Sequence, residues 1–310
     1  MPLKTIKKET ADTLMLEWVL HVKDYKLTLD KNRCAGCQIC SLACPKEAIK
    51  VEKRPKLNGK KANKPVVGFD LAKCNFCGIC DVLCPYGAIK VTLNGEHTLS
   101  LLEKESFPQL IRSIKIDESK YHVGDVGCEE VCPLDLIDVS WADANGNLIK
   151  DLSSFSHEQT RQLQAKISIT KDRCPCCGIC EIKCPKGVIK VGKFINGKIA
   201  IHTEKCPEGC TDCVDICPIK GALYISEVDG KVRPEERFCV YCGACKLVCP
   251  VNDALELKRT MINHTPVRSG AWNKALERLA STADLSKELH GKGRKIAVGA
   301  VKRLLEPERK

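Results

Sequence analysis

One cysteine word recurs along this chain. It first appears as Cys34-Ala-Gly-Cys37-Gln-Ile-Cys40-Ser-Leu-Ala-Cys44-Pro45. It returns at Cys74, Cys77, Cys80, Cys84 and Pro85, at Cys174, Cys177, Cys180, Cys184 and Pro185, and at Cys239, Cys242, Cys245, Cys249 and Pro250. A variant one residue longer supplies Cys206, Cys210, Cys213, Cys217 and Pro218. Three cysteines at two-residue separation let one loop wrap three corners of a [4Fe–4S] cube, while the fourth, before proline, ligates the neighbouring cube. Five complete words argue against zinc and for a conductor of electrons.

Composition supports that reading. The 310 residues include 23 cysteines, and an odd count suits thiolate ligands better than a disulfide framework. The N-terminus, Met-Pro-Leu-Lys-Thr-Ile-Lys-Lys, does not read as a secretory signal, and no apolar run matches a membrane helix, so a reducing, anaerobic cytoplasm is expected. With aromatic residues at 5% and charged residues at 29%, several small modules nucleated by clusters are expected in place of one large apolar core. The formal charge is +11. Five cubes with their thiolates contribute roughly −10, so the charge is no argument for a nucleic-acid partner.

A longer frame surrounds each word. After each Cys-Pro comes a short alternating stretch: Ala48-Ile49-Lys50-Val51, Ala88-Ile89-Lys90-Val91, Val188-Ile189-Lys190-Val191, Ala222-Leu223-Tyr224-Ile225 and Ala254-Leu255-Glu256-Leu257. Period-two apolar residues predict strands, so each unit reads as strand, cluster loop, a turn of helix and strand. The frame exposes a sixth unit, ending Cys132-Pro133-Leu134-Asp135-Leu136-Ile137, whose front half aligns without a gap on the variant word. Its first two ligands have become Tyr121 and Asp125, and Cys128 stands third.

The expected fold class is α+β: three tandem, pseudo-twofold 2[4Fe–4S] ferredoxin-like domains with a helical C-terminal tail. The expected boundaries are an N-terminal segment 1–28, domain 1 at 29–95, domain 2 at 96–192 with the degenerate unit, domain 3 at 193–260, and a docking tail 261–310. Pairing units in chain order assigns Cys34, Cys37, Cys40 and Cys84 to cluster 1, and Cys74, Cys77, Cys80 and Cys44 to cluster 2. Cluster 3 takes Cys174, Cys177, Cys180 and Cys132; cluster 4 takes Cys206, Cys210, Cys213 and Cys249; cluster 5 takes Cys239, Cys242, Cys245 and Cys217. Tyr121, Asp125, Cys128 and Cys184 form a degenerate site, expected to be empty; its occupation would make six cubes instead of five. Cys176 is left without a role.

Asn196-Gly197 and Asp229-Gly230 predict hairpin turns. Gly78, Gly178 and Gly243 are expected to relieve crowding beside the cluster. The insertion Trp141 to Gln164 is expected to reach partner proteins. The basic run Lys53, Arg54, Lys56, Lys60, Lys61 and Lys64 reads as a solvated hairpin or as a dock for an acidic ferredoxin. In the tail, Ala271, Ala275, Leu276 and Leu279 share a helical face with Trp272 at its edge; it either docks onto a larger complex or packs back on its own modules. A second helix is suggested by Ile296, Val298, Val301, Leu304 and Leu305, and Lys292, Arg294, Lys295, Lys302 and Arg303 lack the aromatic set of a nucleic-acid site. No nucleotide-binding, zinc-protease or nucleophile-elbow motif is found, and the histidines, His21, His97 and His264 among them, have no ligand spacing.

The units across 34–257 resemble archaeal polyferredoxins. The CysProGluGlyCys variant and the stretch His264-Thr-Pro-Val-Arg-Ser-Gly-Ala-Trp272-Asn-Lys-Ala-Leu-Glu-Arg-Leu are similar to the polyferredoxin subunit of tungsten or molybdenum formylmethanofuran dehydrogenase. That resemblance implies a non-catalytic relay that takes low-potential electrons from a soluble ferredoxin or similar donor. It passes them to subunits reducing carbon dioxide to formylmethanofuran, or runs in reverse. The chain's six units are fewer than the eight typical of that family. The alternatives are the polyferredoxin of a hydrogenase or heterodisulfide reductase system, and a structural iron–sulfur scaffold without electron transfer. Neither nucleic acid nor membrane is expected as a partner.

Overall fold

The computed structural model describes residues 3–54, 63–125, 127–153, 155–185, 187–267 and 269–280. In the N-terminal part the elements are β1 (Lys4–Glu9), β2 (Thr13–Val19), β3 (Asp24–Asp30), α1 (Ile39–Ala43), β4 (Ile49–Glu52), β5 (Val66–Phe69), α2 (Ile79–Val82) and β6 (Ile89–Leu93). β3 pairs with β6 and β4 with β5, all antiparallel, so the first strand of one unit meets the last strand of the next. The stretch 1–28 is not a separate segment. β1 and β2 extend the sheet in the order β1-β2-β3-β6. Leu14 faces Leu29 and Leu16 faces Leu27 across β2 and β3, and all four are buried. Such apolar cross-strand pairs fix the register.

Next come α3 (Ser100–Glu103), β7 (Ser113–Ile116), β8 (Ile137–Ala142), β9 (Leu148–Ile149), α4 (His157–Thr160), β10 (Gln164–Ile169), α5 (Ile179–Lys183) and β11 (Ile189–Gly192). β7 pairs with β11 and β8 with β10 in the same arrangement. The residues opening the insertion do not reach outward: Trp141 and Ala142 end β8, are buried, and pair with β9.

The last group is β12 (Ile195–Ile201), α6 (Asp212–Asp215), β13 (Leu223–Ile225), β14 (Val232–Pro234), α7 (Ala244–Val248), β15 (Leu255–Ile262) and α8 (Gly270–Leu279). β12 pairs with β15 and β13 with β14. Asn196-Gly197 is not a turn: it lies inside β12 at a register shift. A Cβ at Gly197 would stand 2.2 Å from the Lys258 carbonyl oxygen and 2.9 Å from the Tyr241 ring, so glycine is needed there for close backbone approach. Asp229-Gly230 does sit in the turn between β13 and β14, where the Gly230 amide donates to the Ser226 oxygen at 2.9 Å.

α8 lies against α1. Ser269 caps it, and Trp272, Ala275, Leu276 and Leu279 are buried while Ala271 is exposed, so Trp272 is the centre of the packed face and not its edge. Phe107 meets the Trp272 ring edge-on at 5.3 Å, and Trp272 Nε1 donates to His264 Nε2 at 3.2 Å. Over its described length the tail packs on its own modules. Ile296 to Leu305, with Lys292, Arg294, Lys295, Lys302 and Arg303, lie outside the described residues, as do Lys56, Lys60 and Lys61. Lys53 Nζ donates to the Cys249 carbonyl at 3.0 Å, and Lys64 Nζ to the carbonyls of Lys31 and Asn32 at 2.8 Å each, so these two lysines bind the chain itself.

Candidate metal centres

The four words of regular spacing fold through one backbone device, which the longer variant lacks, since Thr211 before its helix has φ −120°. The residue before the helix holding the third cysteine is left-handed: Gly78, Gly178 and Gly243 have φ of 85°, 80° and 90°. Gln38 adopts the same region at 64° at a cost of about 1–2 kcal/mol, so a left-handed residue is required there whether or not it is glycine. Past three of the Cys-Pro steps the chain turns back and an amide four residues on donates to the fourth sulfur: Ala48 to Cys44 Sγ at 3.4 Å, Ala88 to Cys84 Sγ at 3.2 Å, Leu136 to Cys132 Sγ at 3.4 Å. Amides aimed at sulfur favour the thiolate.

Three cysteine sets line apolar cavities. Cys74, Cys77 and Cys80 share one of about 20 Å³ with Cys44, brought from the preceding unit. Cys174, Cys177 and Cys180 share one of about 20 Å³ with Cys132. Cys239, Cys242 and Cys245 share one of about 20 Å³ with Cys217. The other two sets are gathered in the same crossed way. Burial raises Cys40 well above its ordinary value, and the charges of Cys80, Cys84 and Cys34 add to this. Burial, then Cys249 and Cys210, raises Cys206.

The thiols bear the strain of this crowding. Burial, then Cys177, Cys174 and Cys132, pushes Cys180 up to about 12; burial, then Cys242, pushes Cys217 up to about 12. Four anionic sulfurs ringing an apolar cavity repel one another and lose hydration, a penalty that iron at the centre removes by holding each thiol deprotonated. Among the described residues no three such side chains close on a single ion. Crossed cysteine sets, with apolar walls or inward amides at several of them, fit [4Fe–4S] clusters.

The sixth unit is built differently. Tyr121 is 6% exposed and stacks on Trp141 with ring centroids 5.6 Å apart; its hydroxyl accepts from the Cys128 amide at 3.3 Å. Asp125 accepts from the His122 amide at 2.7 Å, closing its own turn. Cys128 and Cys184 are buried and hydrogen-bond to each other. A compact apolar cluster with Ile137, Ile167, Val188 and Ile189 surrounds them.

Sequence reasoning missed the residues at the junction. Arg112 donates to the carbonyls of Cys174 and Cys84, each at 2.9 Å, with its guanidinium 5.0 Å above the Phe194 ring. Lys193 Nζ donates to the Cys239 carbonyl at 2.9 Å. Arg259, 8% exposed, donates to the carbonyls of Tyr241, Cys242 and Leu279 at 2.8, 2.7 and 3.2 Å. The buried Tyr86 hydroxyl has no nitrogen or oxygen partner among the described residues and lies against the Cys242 sulfur. The signal for Arg259 was present: it continues the inward face of β15 after Leu255 and Leu257, where a charge is out of place. Cys176 is fully buried; its thiol donates to the Cys174 carbonyl at 3.9 Å, and its nearness to the Cys174 sulfur holds that thiol below its ordinary value.

The family described as the 4Fe-4S dicluster domain matches residues 33–88. The chain is 37% identical over 95 residues to a polyferredoxin-like subunit of an aliphatic sulfonate oxidoreductase from Pyrococcus furiosus, covering 27% of this chain and 53% of the relative. It is 34% identical over 90 residues to an uncharacterised ferredoxin of Methanocaldococcus jannaschii, covering 27% and 51%. The chain thus spans about half the length of these curated relatives. A chain in the solved formate dehydrogenase, heterodisulfide reductase and formylmethanofuran dehydrogenase complex of Methanospirillum hungatei superposes with a TM-score of 0.74 at 31% identity. The match covers 90% of this chain and 92% of that one.

Proposed function

We propose that this chain, which belongs to the polyferredoxin-like [4Fe–4S] proteins, is the electron relay of a formylmethanofuran dehydrogenase complex, in the role of that enzyme's own polyferredoxin. The observation that carries the reading is the near full-length match to a chain of a complex that contains this enzyme. The substrate site then lies on other subunits, and a soluble ferredoxin or another low-potential donor supplies the electrons in the cytoplasm. No helix of the described residues is long and apolar enough to cross a membrane.

Five cubes are assigned to the five crossed cysteine sets. Each supplies reversible one-electron chemistry when bound. Cys37 and Cys242 feel each other's charge after burial, and Cys177 and Cys239 both face Lys193. Arg112 ties the Cys174 loop to the Cys84 loop. Clusters 1, 3 and 5 therefore meet at one junction, with clusters 2 and 4 reached through Cys40 beside Cys80 and Cys245 beside Cys213. Electron transfer follows this three-way contact and not the order of the chain.

Native anaerobic purification tests the assignment. Formylmethanofuran dehydrogenase subunits should co-purify, with about twenty iron atoms per chain. Recovery of hydrogenase or heterodisulfide reductase subunits without them supports the other polyferredoxin reading. Cubes that stay silent by EPR under strongly reducing conditions leave only a scaffold.

A further inference from the structure

At the degenerate site two thiols face each other, Cys128 of the sixth unit and Cys184 of the word that begins at Cys174. Cys128 is 0% and Cys184 5% exposed, and their side chains hydrogen-bond directly. Tyr121 packs in the same buried cluster as both thiols, which that cluster holds side by side. Neighbouring thiols can close to a disulfide bond of about 2.05 Å. Cys184 ends α5, one turn beyond Cys180, whose carbonyl accepts its amide at 3.0 Å. Cys180 packs against the core that encloses the pair, so the pair adjoins the cavity lined by Cys132, Cys174, Cys177 and Cys180.

We propose that Cys128 and Cys184 form a two-electron dithiol/disulfide site in electronic contact with cluster 3; this rests on the assignment of cluster 3 made above. In the reducing direction the S–S bond takes up two electrons and two protons and becomes two thiols. The electrons arrive singly from reduced cluster 3, which returns to its oxidised state and is refilled from the junction; the protons come from solvent. In the other direction the two thiols form the S–S bond, release two protons, and pass two electrons to oxidised clusters. The broken unit thus gives a one-electron chain a place to hold an electron pair. Its burial excludes bulky thiols, so the clusters are its route to reductant.

The anaerobically purified holoprotein tests this. It is poised at a series of potentials with dithionite and small one-electron mediators that exchange with the clusters, quenched in acid, unfolded, alkylated and digested, with iron and EPR measured on the same samples. Two of the 23 thiols should escape alkylation at the oxidising end, recovered as one cross-linked Cys128–Cys184 peptide, and both should return on adding dithionite. Recovery should slow at least tenfold in Cys177→Ser. Cys184→Ser should abolish the cross-linked peptide without loss of iron. Full alkylation of both peptides at every poise, with cluster 3 present by EPR, means a structural thiol pair only and overturns the proposal. Loss of about four irons in Cys184→Ser would show the pair to be ligands, and overturns it as well. If the wild type itself lacks the cluster 3 signal, the ligand assignment has failed first, and the proposal with it.

Discussion

Replacing Arg259 with glutamine removes one positive charge from the junction while keeping a long polar side chain. The thiolate charges facing this guanidinium are those of Cys37, then Cys242, Cys245 and Cys239, members of cluster sets 1 and 5. Burial lowers its pKa, yet arginine stays protonated. With a guanidinium nitrogen 2.7 Å from the Cys242 carbonyl oxygen, its charge stands on the order of 7 Å from these sulfurs. At an effective permittivity of about 20, one charge at that distance is worth about 2.4 kcal/mol. Since 100 mV corresponds to about 2.3 kcal/mol per electron, Arg259→Gln should lower the midpoints of clusters 1 and 5 by about 100 mV. Clusters 2, 3 and 4 should move much less. Arg259→Lys keeps the charge but loses the forked geometry, so it should leave the potentials nearly in place. Both variants should destabilise by about 3–5 kcal/mol, because three charge-assisted bonds are broken or loosened. Anaerobic EPR redox titration at matched iron content is the assay. Equal shifts in the two variants, or an upward shift in the glutamine variant, would refute an electrostatic role and leave Arg259 a packing residue.

Other perturbations probe other parts of the molecule. Tyr121→Cys with Asp125→Cys restores the missing ligands of the sixth word, and iron per chain should rise from about twenty to about twenty-four after reconstitution; an unchanged count would mean that the pocket has closed. Trp272→Ala should cost about 3–5 kcal/mol and release α8 from α1, read as a lower midpoint in thermal unfolding and faster amide exchange across Gly270–Leu279; a change within 0.5 kcal/mol would show the helix to be held elsewhere. Reconstitution of apoprotein should tighten as pH rises from neutral, since thiols such as Cys177 and Cys239, raised to about 11 chiefly by burial, release protons on binding iron. A pH-independent iron affinity would contradict this.

Much of the fold was legible because the same residues recur in the same frame. Ile49, Ile89, Ile137, Ile189, Leu223 and Leu255 each open or lie at the start of a strand, as alternation after Cys-Pro predicts. Local sequence determines such elements. It does not determine what long-range packing decides. Asn196-Gly197 carries turn chemistry, but the approach of Lys258 and Tyr241 makes it strand. Trp141 looked like part of an outward loop because its stacking partner, Tyr121, is 20 residues away in the chain. Arg112 and Lys193 lie in linkers between words, where nothing in the frame marks the carbonyls of Cys84, Cys174 and Cys239 as their partners.

The sixth unit shows what a cube contributes to folding. Around three of the complete cysteine sets a small cavity of about 20 Å³ is lined by the cysteines and apolar side chains, so the cofactor is the centre of the packing there. In the sixth, Tyr121 and Trp141 occupy that role, and such a stacked pair adds about 0.5–1.5 kcal/mol beyond the apolar area it buries. One half of the group carrying β8 and β10 can thus hold its strands without iron, whereas the group carrying β4 and β5 has cluster sets on both sides. Chelation of the holoprotein should therefore leave amide-exchange protection longest at Ile137–Ala142 and Gln164–Ile169, after it is lost at Ile49–Glu52 and Val66–Phe69. Simultaneous loss at all four strands would mean that Tyr121 only fills space, and that cluster 3 alone keeps this group folded.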